Sequence, residues 1–195
     1  MSIPEQYRPF VEDIHGMIGL SEADFELFRR HREFFEANGG ALVDAVAEIL
    51  SGHPSSAAVF AEGRGDLESA KRRLAAWLGR LLDSHDTPEF WHAQFVIGIE
   101  HIGRRIPNRL MVGLATRIRE VLLPLMLDRV GLPEGVDLYL AFQRLLDSIV
   151  ALTTTLVDEG QRRCLLEATG FSPTLLDNLQ SMVFEKIRKE LEPPA

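Results

Sequence analysis

Six histidines and one cysteine are the residues of this 195-residue chain best suited to holding a metal or moving a proton. Their spacing limits what they can do. Cys164 stands alone, which excludes an internal disulfide framework and a cysteine-based zinc site. No His-Glu-x-x-His run and no Gly-x-Ser-x-Gly elbow occurs. His101 differs from the other histidines in its setting. On a helix, Ile97, Gln94 and Phe90 share its face, and Gly98 leaves room beside the imidazole. His92 is nine residues away and half a turn out of phase, so the two cannot meet on one metal. A lone histidine on such a face has two readings. It is a core histidine hydrogen-bonded to a backbone carbonyl, or it is a single axial ligand to an iron whose other four ligands come from a porphyrin.

The elements that must position it are helices. Apolar residues recur at three- and four-residue spacing, and few stretches alternate at period two. The reading is all-α. A short pre-helix spans 7–17. Ser21 caps a helix over 22–37, with Asp24 in the capping-box position and Gly39-Gly40 as its stop. Further helices follow over 41–50, 55–60 and 66–83, the last capped by Asp66. Pro88 opens one that runs to 105, and Pro107 closes it. The remaining helices cover 109–130, kinked at Pro124, then 134–168 and 173–191. No strand precedes any glycine-rich spot, so a nucleotide-binding loop is not expected.

Composition narrows the class. Hydrophobic residues make up 46% and charged residues 26%, as in an ordinary globular chain. The net charge of −8, from 21 basic and 29 acidic residues, argues against binding nucleic acid through phosphates. No uncharged apolar run approaches the roughly 20 residues of a membrane span. No basic segment followed by an apolar one opens the chain, so no signal peptide and a cytoplasmic location are expected.

Residues 97–114 carry more than periodicity. They read Ile97-Gly98-Ile99-Glu100-His101-Ile102-Gly103-Arg104-Arg105-Ile106-Pro107-Asn108-Arg109-Leu110-Met111-Val112-Gly113-Leu114. This resembles the proximal-histidine segment of globin-coupled sensors and their protoglobin relatives, although here the glycine follows Ile102 and the isoleucine follows Arg105. Upstream, Pro54 and Phe60 resemble the corner proline and the heme-packing phenylalanine of globins, and the 74–82 stretch with Trp77 resembles the distal helix. The resemblance covers about 21–159.

The resemblance implies a globin-like, sensor-globin helical sandwich over 21–168, with a pre-helix segment over 1–20 and a helical extension over 169–195. It implies heme b, with His101 as the iron ligand. Phe60, Leu74, Trp77, Ile97, Met111 and Leu114 fit an apolar lining, and Arg73 and Arg105 complete the cofactor contacts. A diatomic gas (O2, CO or NO) is the expected ligand, and gas sensing rather than catalysis the expected role. The residues after Glu159 are too few for an output domain, so a stand-alone sensor globin or a sensor domain is expected. A non-heme globin-like interaction module is the alternative; such modules lack the proximal histidine that His101 supplies here. Many relatives carry a tyrosine on the second globin helix that bonds bound O2, whereas Asp44-Ala45-Val46-Ala47 has none. That leaves Arg73 as the candidate donor and implies fast O2 release. The two helices over 109–130 and 134–168 carry apolar residues on more than one face, which together with the resemblance implies a homodimer through them.

Overall fold

A computed structural model describes residues 5–63 and 65–191. Among these residues there is a 3-10 turn, Glu5–Tyr7, and nine α-helices without a strand. The helices are α1 (Arg8–Ile18), α2 (Glu22–Arg30), α3 (Arg32–Gly52), α4 (Pro54–Ala61), α5 (Leu67–Leu81), α6 (Pro88–Gly103), α7 (Asn108–Arg129), α8 (Glu134–Thr169) and α9 (Pro173–Leu191). They group into two compact units, Met1–Thr155 and Leu156–Ala195, divided within α8. The all-α expectation is met, and most helix limits fall within a few residues of those read from the sequence.

The first unit is built around α3, which packs on α4, α5 and α7. Its core is aromatic where the helices converge. Phe142 of α8 lies 6.1 Å from Phe28 of α2, 6.0 Å from Phe35 of α3 and 6.4 Å from Trp77 of α5, measured between ring centroids. Along α8, Leu138, Ala141, Phe142, Leu145, Ser148 and Leu152 are at most 1% exposed and recur at helical spacing. This inward stripe explains why α8 is long and apolar enough to cross a membrane by composition alone.

One sequence expectation needs correcting. The helix expected over 22–37 breaks at His31, where φ is −98° and ψ 27°, and α3 then runs unbroken through Gly39 and Gly40. Packing decides both points. The first turn of α2 is held to α8 by Asp24, a buried carboxylate that takes a two-pronged hydrogen bond from Arg144 and one from the Ser21 amide. At the other end of α2, His31 Nε2 lies 3.0 Å from Glu134 at the start of α8. These ties fix α2 antiparallel to α8, and the chain must turn before α3 can point Phe34, Phe35, Leu42, Val43 and Val46 inward. That apolar stripe continues on both sides of the glycine pair, so its burial outweighs their low helix propensity.

Where α7 gives way to α8 the backbones touch. A Cβ built on Gly135 would stand 2.7 Å from the Met126 carbonyl oxygen and 3.1 Å from its carbon, so only glycine fits. Pro124 lies inside α7, exposed, and α7 continues through it.

The segment 82–87, which delivers the chain into α6, is pinned from α2 and α3. Arg29 donates to the Ser84 carbonyl at 2.6 Å and Arg32 to the Leu82 carbonyl at 3.0 Å. Glu22 accepts from the Asp86 amide at 2.7 Å and lies 2.7 Å from His85 Nδ1. Burial raises the Glu22 pKa, but the Asp86 amide, Arg29 and His85 outweigh it and bring the carboxyl down to about 2.

In the second unit, the end of α8 turns back into α9 at Gly170, whose φ is +67°. Ser172 caps α9 through Leu175 N, and Arg162 pairs with Asp177 at 2.5 Å.

Two predictions follow from these contacts. Gly39 and Gly40 have helical backbone with nothing within 4 Å of a built Cβ. Replacing either with alanine should stabilise the protein by about 0.5–1 kcal/mol, read as a raised urea midpoint at unchanged m-value. A loss of stability would mean that the pair ends a helix. For Glu22, the carboxylate favours the fold above its unfolded pKa near 4.5, and that contribution is lost as pH falls toward about 2. Glu22→Gln should therefore flatten the decline in melting temperature between pH 5 and pH 2; an unchanged slope would refute the assignment.

Candidate functional site

His101 sits in the last turn of α6, and the ending of that helix is unusual. Thr87 caps its start through Phe90 N, with Pro88 in the first turn. At its end the Ile106 amide reaches back to the His101 carbonyl at 3.0 Å, and the Arg105 amide to the Ile102 carbonyl at 2.9 Å. This paired closure needs a left-handed residue between, and Arg105 supplies it with φ +54°. Glycine is the ordinary occupant, and a side chain there costs roughly 1–2 kcal/mol. Strain of this kind, at a conformation only the surrounding structure can hold, commonly marks a functional site.

Beyond that turn lies an open cleft of about 570 Å³ between the start of α5 and the end of α6. Gly63, Gly65, Asp66 and Ser69 form one wall with Arg73; Gly103, Arg104 and Arg105 form the other. The volume falls within the roughly 300–1,000 Å³ of small-molecule and cofactor sites. Three arginines at the rim suit an anionic group, and the guanidinium fork pairs well with carboxylates. Phe60 borders the cleft, its ring 3.4 Å from a Cβ built on Gly65.

The His101 imidazole is half-buried, and its Nδ1 is buried without a hydrogen-bond partner among the described residues. No backbone carbonyl meets that nitrogen among the described residues, and the same is true of His92 Nδ1 on the same helix. Burial lowers the His101 pKa, and the charges of Arg104 and Arg73 lower it further, against Glu100, which raises it. The ring is thus held neutral, the form that ligates a metal. Arg73 of α5 faces the same cleft as Gly103, Arg104 and Arg105, the residues that follow His101.

Trp77 stands one turn beyond Arg73. Its indole N–H donates to Gln94 Oε1 at 3.1 Å, bridging α5 to α6. On its far side is a second cleft of about 300 Å³, lined by Trp77, Arg80, Leu81, Phe90 and Gln94 among others. Leu74, Ile97, Met111 and Leu114 are half-buried and line neither cleft. Of the expected residues, then, Arg73 and Arg105 meet at the first cleft with Phe60 at its edge, and Trp77 opens on the second.

Sequence reasoning placed Gln94 on the His101 face without finding its partner. It missed Arg104, Asp66 and the glycine wall, for which the only sequence signal was glycine at 63, 65 and 103. The segment compared with a tyrosine-bearing helix lies in α3, where Val46 and Ala47 are buried and Asp44 pairs with Lys71 at 2.7 Å. Tyr7 lies against Phe95, with ring centroids 4.7 Å apart and the planes tilted by 55°. Among the described residues no group of three or more His, Cys, Asp or Glu side chains could hold a metal ion, so iron on His101 would need its other ligands from a porphyrin.

A family model described as Protoglobin matches residues 10–157. Among solved structures, the chain is similar to the globin domain of Geobacter sulfurreducens globin-coupled sensor. The identity is 20% and the TM-score 0.64, over 74% of this chain and 95% of that one. At that identity the likeness shows the fold. No curated protein matches the chain.

The Trp77–Gln94 bridge yields a prediction. Gln94 is 4% exposed, so Gln94→Leu leaves the indole N–H without its acceptor, at a cost of about 1–3 kcal/mol. Chemical denaturation should show that loss together with a shifted tryptophan emission; unchanged stability would mean that water replaces the bond.

Proposed function

The chain belongs to the protoglobin family, and from that premise we propose that it binds heme b through His101 and takes up a diatomic gas reversibly as a sensor globin. The observation that carries this reading is His101 itself. It is neutral, half-buried and bare at Nδ1, beside a cleft whose rim is cationic. When bound, the heme supplies an iron with one coordination position left for a gas.

The residues of the chain divide the remaining work. His101 offers an imidazole nitrogen on a ring that α6 and its strained last turn hold in place. Arg104 and Arg105 suit the carboxylates of the porphyrin edge. Phe60 supplies an apolar ring at the mouth. Leu74, Ile97, Met111 and Leu114 line neither cleft, and are proposed as contacts that the heme makes only when bound. On the gas side, α3 brings no tyrosine hydroxyl, and the Trp77 N–H is engaged by Gln94. Arg73 is the donor that remains. Binding is proposed rather than catalysis, because α5 pairs Arg73 with no histidine on its own helix.

The proposal includes a cytoplasmic setting and a homodimer through α7 and α8, within 109–130 and 134–168. Val112 and Leu127 on α7, and Val136, Leu140 and Leu165 on α8, are the large apolar side chains exposed there. Ile118, Leu122, Met126, Leu138, Phe142 and Leu145 are buried within the chain, which makes that face narrower than the sequence implied.

Protein expressed with ample heme should show a Soret band that His101→Ala loses or shifts strongly, while far-ultraviolet circular dichroism stays unchanged. A wild-type protein without a Soret band would overturn the reading in favour of a non-heme interaction module. Arg105→Gly separates support from strain. Relief of about 1–2 kcal/mol is offset by roughly 0.5–1 kcal/mol of glycine chain entropy, so the heme-free protein should be as stable or slightly more so. Heme transfer to apomyoglobin should nevertheless quicken several-fold. Equal transfer rates would remove Arg105 from the site.

A further inference from the structure

The second unit presents an apolar surface that the heme reading does not use. On α9, Leu175, Leu179, Val183, Ile187 and Leu191 recur every four residues and are all exposed, Val183 at 55% and Leu191 at 80%. Met182 (69%) and Phe184 (67%) widen the stripe. With ordinary side-chain areas, these α9 residues leave roughly 700 Å² of apolar surface. A monomer rarely exposes more than about 300–600 Å² in one patch, and a standard-size interface takes about 800 Å² from each partner. We propose that this stripe is a self-association surface, on which α9 of a second copy of the chain packs antiparallel.

The sequence of the stripe favours a second copy over another partner. Its apolar positions are symmetric about Val183, with Leu175 opposite Leu191 and Leu179 opposite Ile187. A two-fold axis there sets Val183 on the partner's Val183 and Leu179 on the partner's Ile187, which is the self-complementarity an isologous contact demands. A row at four-residue spacing is also the ridge used in the commonest class of helix crossing.

The charges agree with the antiparallel sense. Asp177 lies near the start of the helix, whereas Arg188 and Lys189 are in its last turn. The antiparallel arrangement brings Asp177 level with the partner's Lys189, and the helix dipoles oppose favourably. A parallel pair would set each charge beside its own kind. The polar flank is balanced, Glu185 with Arg188 and Lys186 with Glu190, and offers no cationic face to an anionic membrane. The inference stands independently of heme binding.

Sedimentation of the full chain at low micromolar concentration tests it. A mass above the 21.9 kDa of one chain would also come from a dimer through α7 and α8, so the α9 contact is read from Val183→Glu, which should halve the wild-type assembly mass with unchanged helicity. In a Cys164→Ser background, Val183→Cys should form a disulfide-linked dimer on mild oxidation. Leu179→Cys should cross-link with Ile187→Cys when the two proteins are mixed, but not with itself. Self-cross-linking of Leu179→Cys would mean a parallel pair and overturn the proposal. So would a wild type that stays monomeric, whether α9 is covered by its own chain or floats with phosphatidylcholine–phosphatidylglycerol vesicles. Unchanged mass in Val183→Glu would overturn it as well.

Discussion

Phe142 is the side chain on which the arrangement of the first unit depends. Its ring is 1% exposed and meets aromatic rings from α2, α3 and α5. Such pairs contribute about 0.5–1.5 kcal/mol each beyond the area they bury. Their larger effect is geometric. Rings in contact leave few ways for four helices to meet, and Phe25 against Phe90, at 5.0 Å, carries the same restraint to α6. The polar ties lie at the edge of this cluster. Asp24 with Arg144 sets the direction of α2, while Glu22, Arg29 and Arg32 hold the segment that opens α6.

The candidate site inherits its geometry from that frame. His101 lies three turns and more beyond Phe90 on a helix anchored at its first turn, and across from Arg73 on a helix anchored through Trp77. Neither anchor touches the cleft between Arg73 and Arg105. The site is therefore placed from behind, by packing, and its mouth is left to glycines and arginines. Such a division allows a bound group to be exchanged or the rim to be altered without repacking the core.

Much of this was legible in the sequence because the informative signals are local. Asp24 three residues after Ser21, Asp66 before an apolar stripe, and Pro88 and Pro107 as brackets each act within one helical turn. His101 could be singled out by the residues sharing its face. What was not legible depends on distant contacts. Gly39-Gly40 reads as a stop by propensity, yet the buried stripe across it keeps α3 whole. Nothing near His31 announces a break, since its cause is α8, more than a hundred residues later. The helix around His101 has Gly103 near its end, whereas the left-handed residue is Arg105, two positions on. Gln94 needed Trp77 from another helix before its burial made sense.

Gly135 bears on how this chain can vary. Met126 and Gly135 approach so closely that any other residue would drive its Cβ into a backbone carbonyl, an atom that cannot swing aside as a side chain can. Every missense change in that codon brings a Cβ. The position is thus closed to drift, although it holds no chemistry and lies in a corner rather than in a cleft. In a collection of diverged homologues it would be as invariant as a ligand to a metal, for a reason that has nothing to do with ligation. Invariance there would report the distance between two helices.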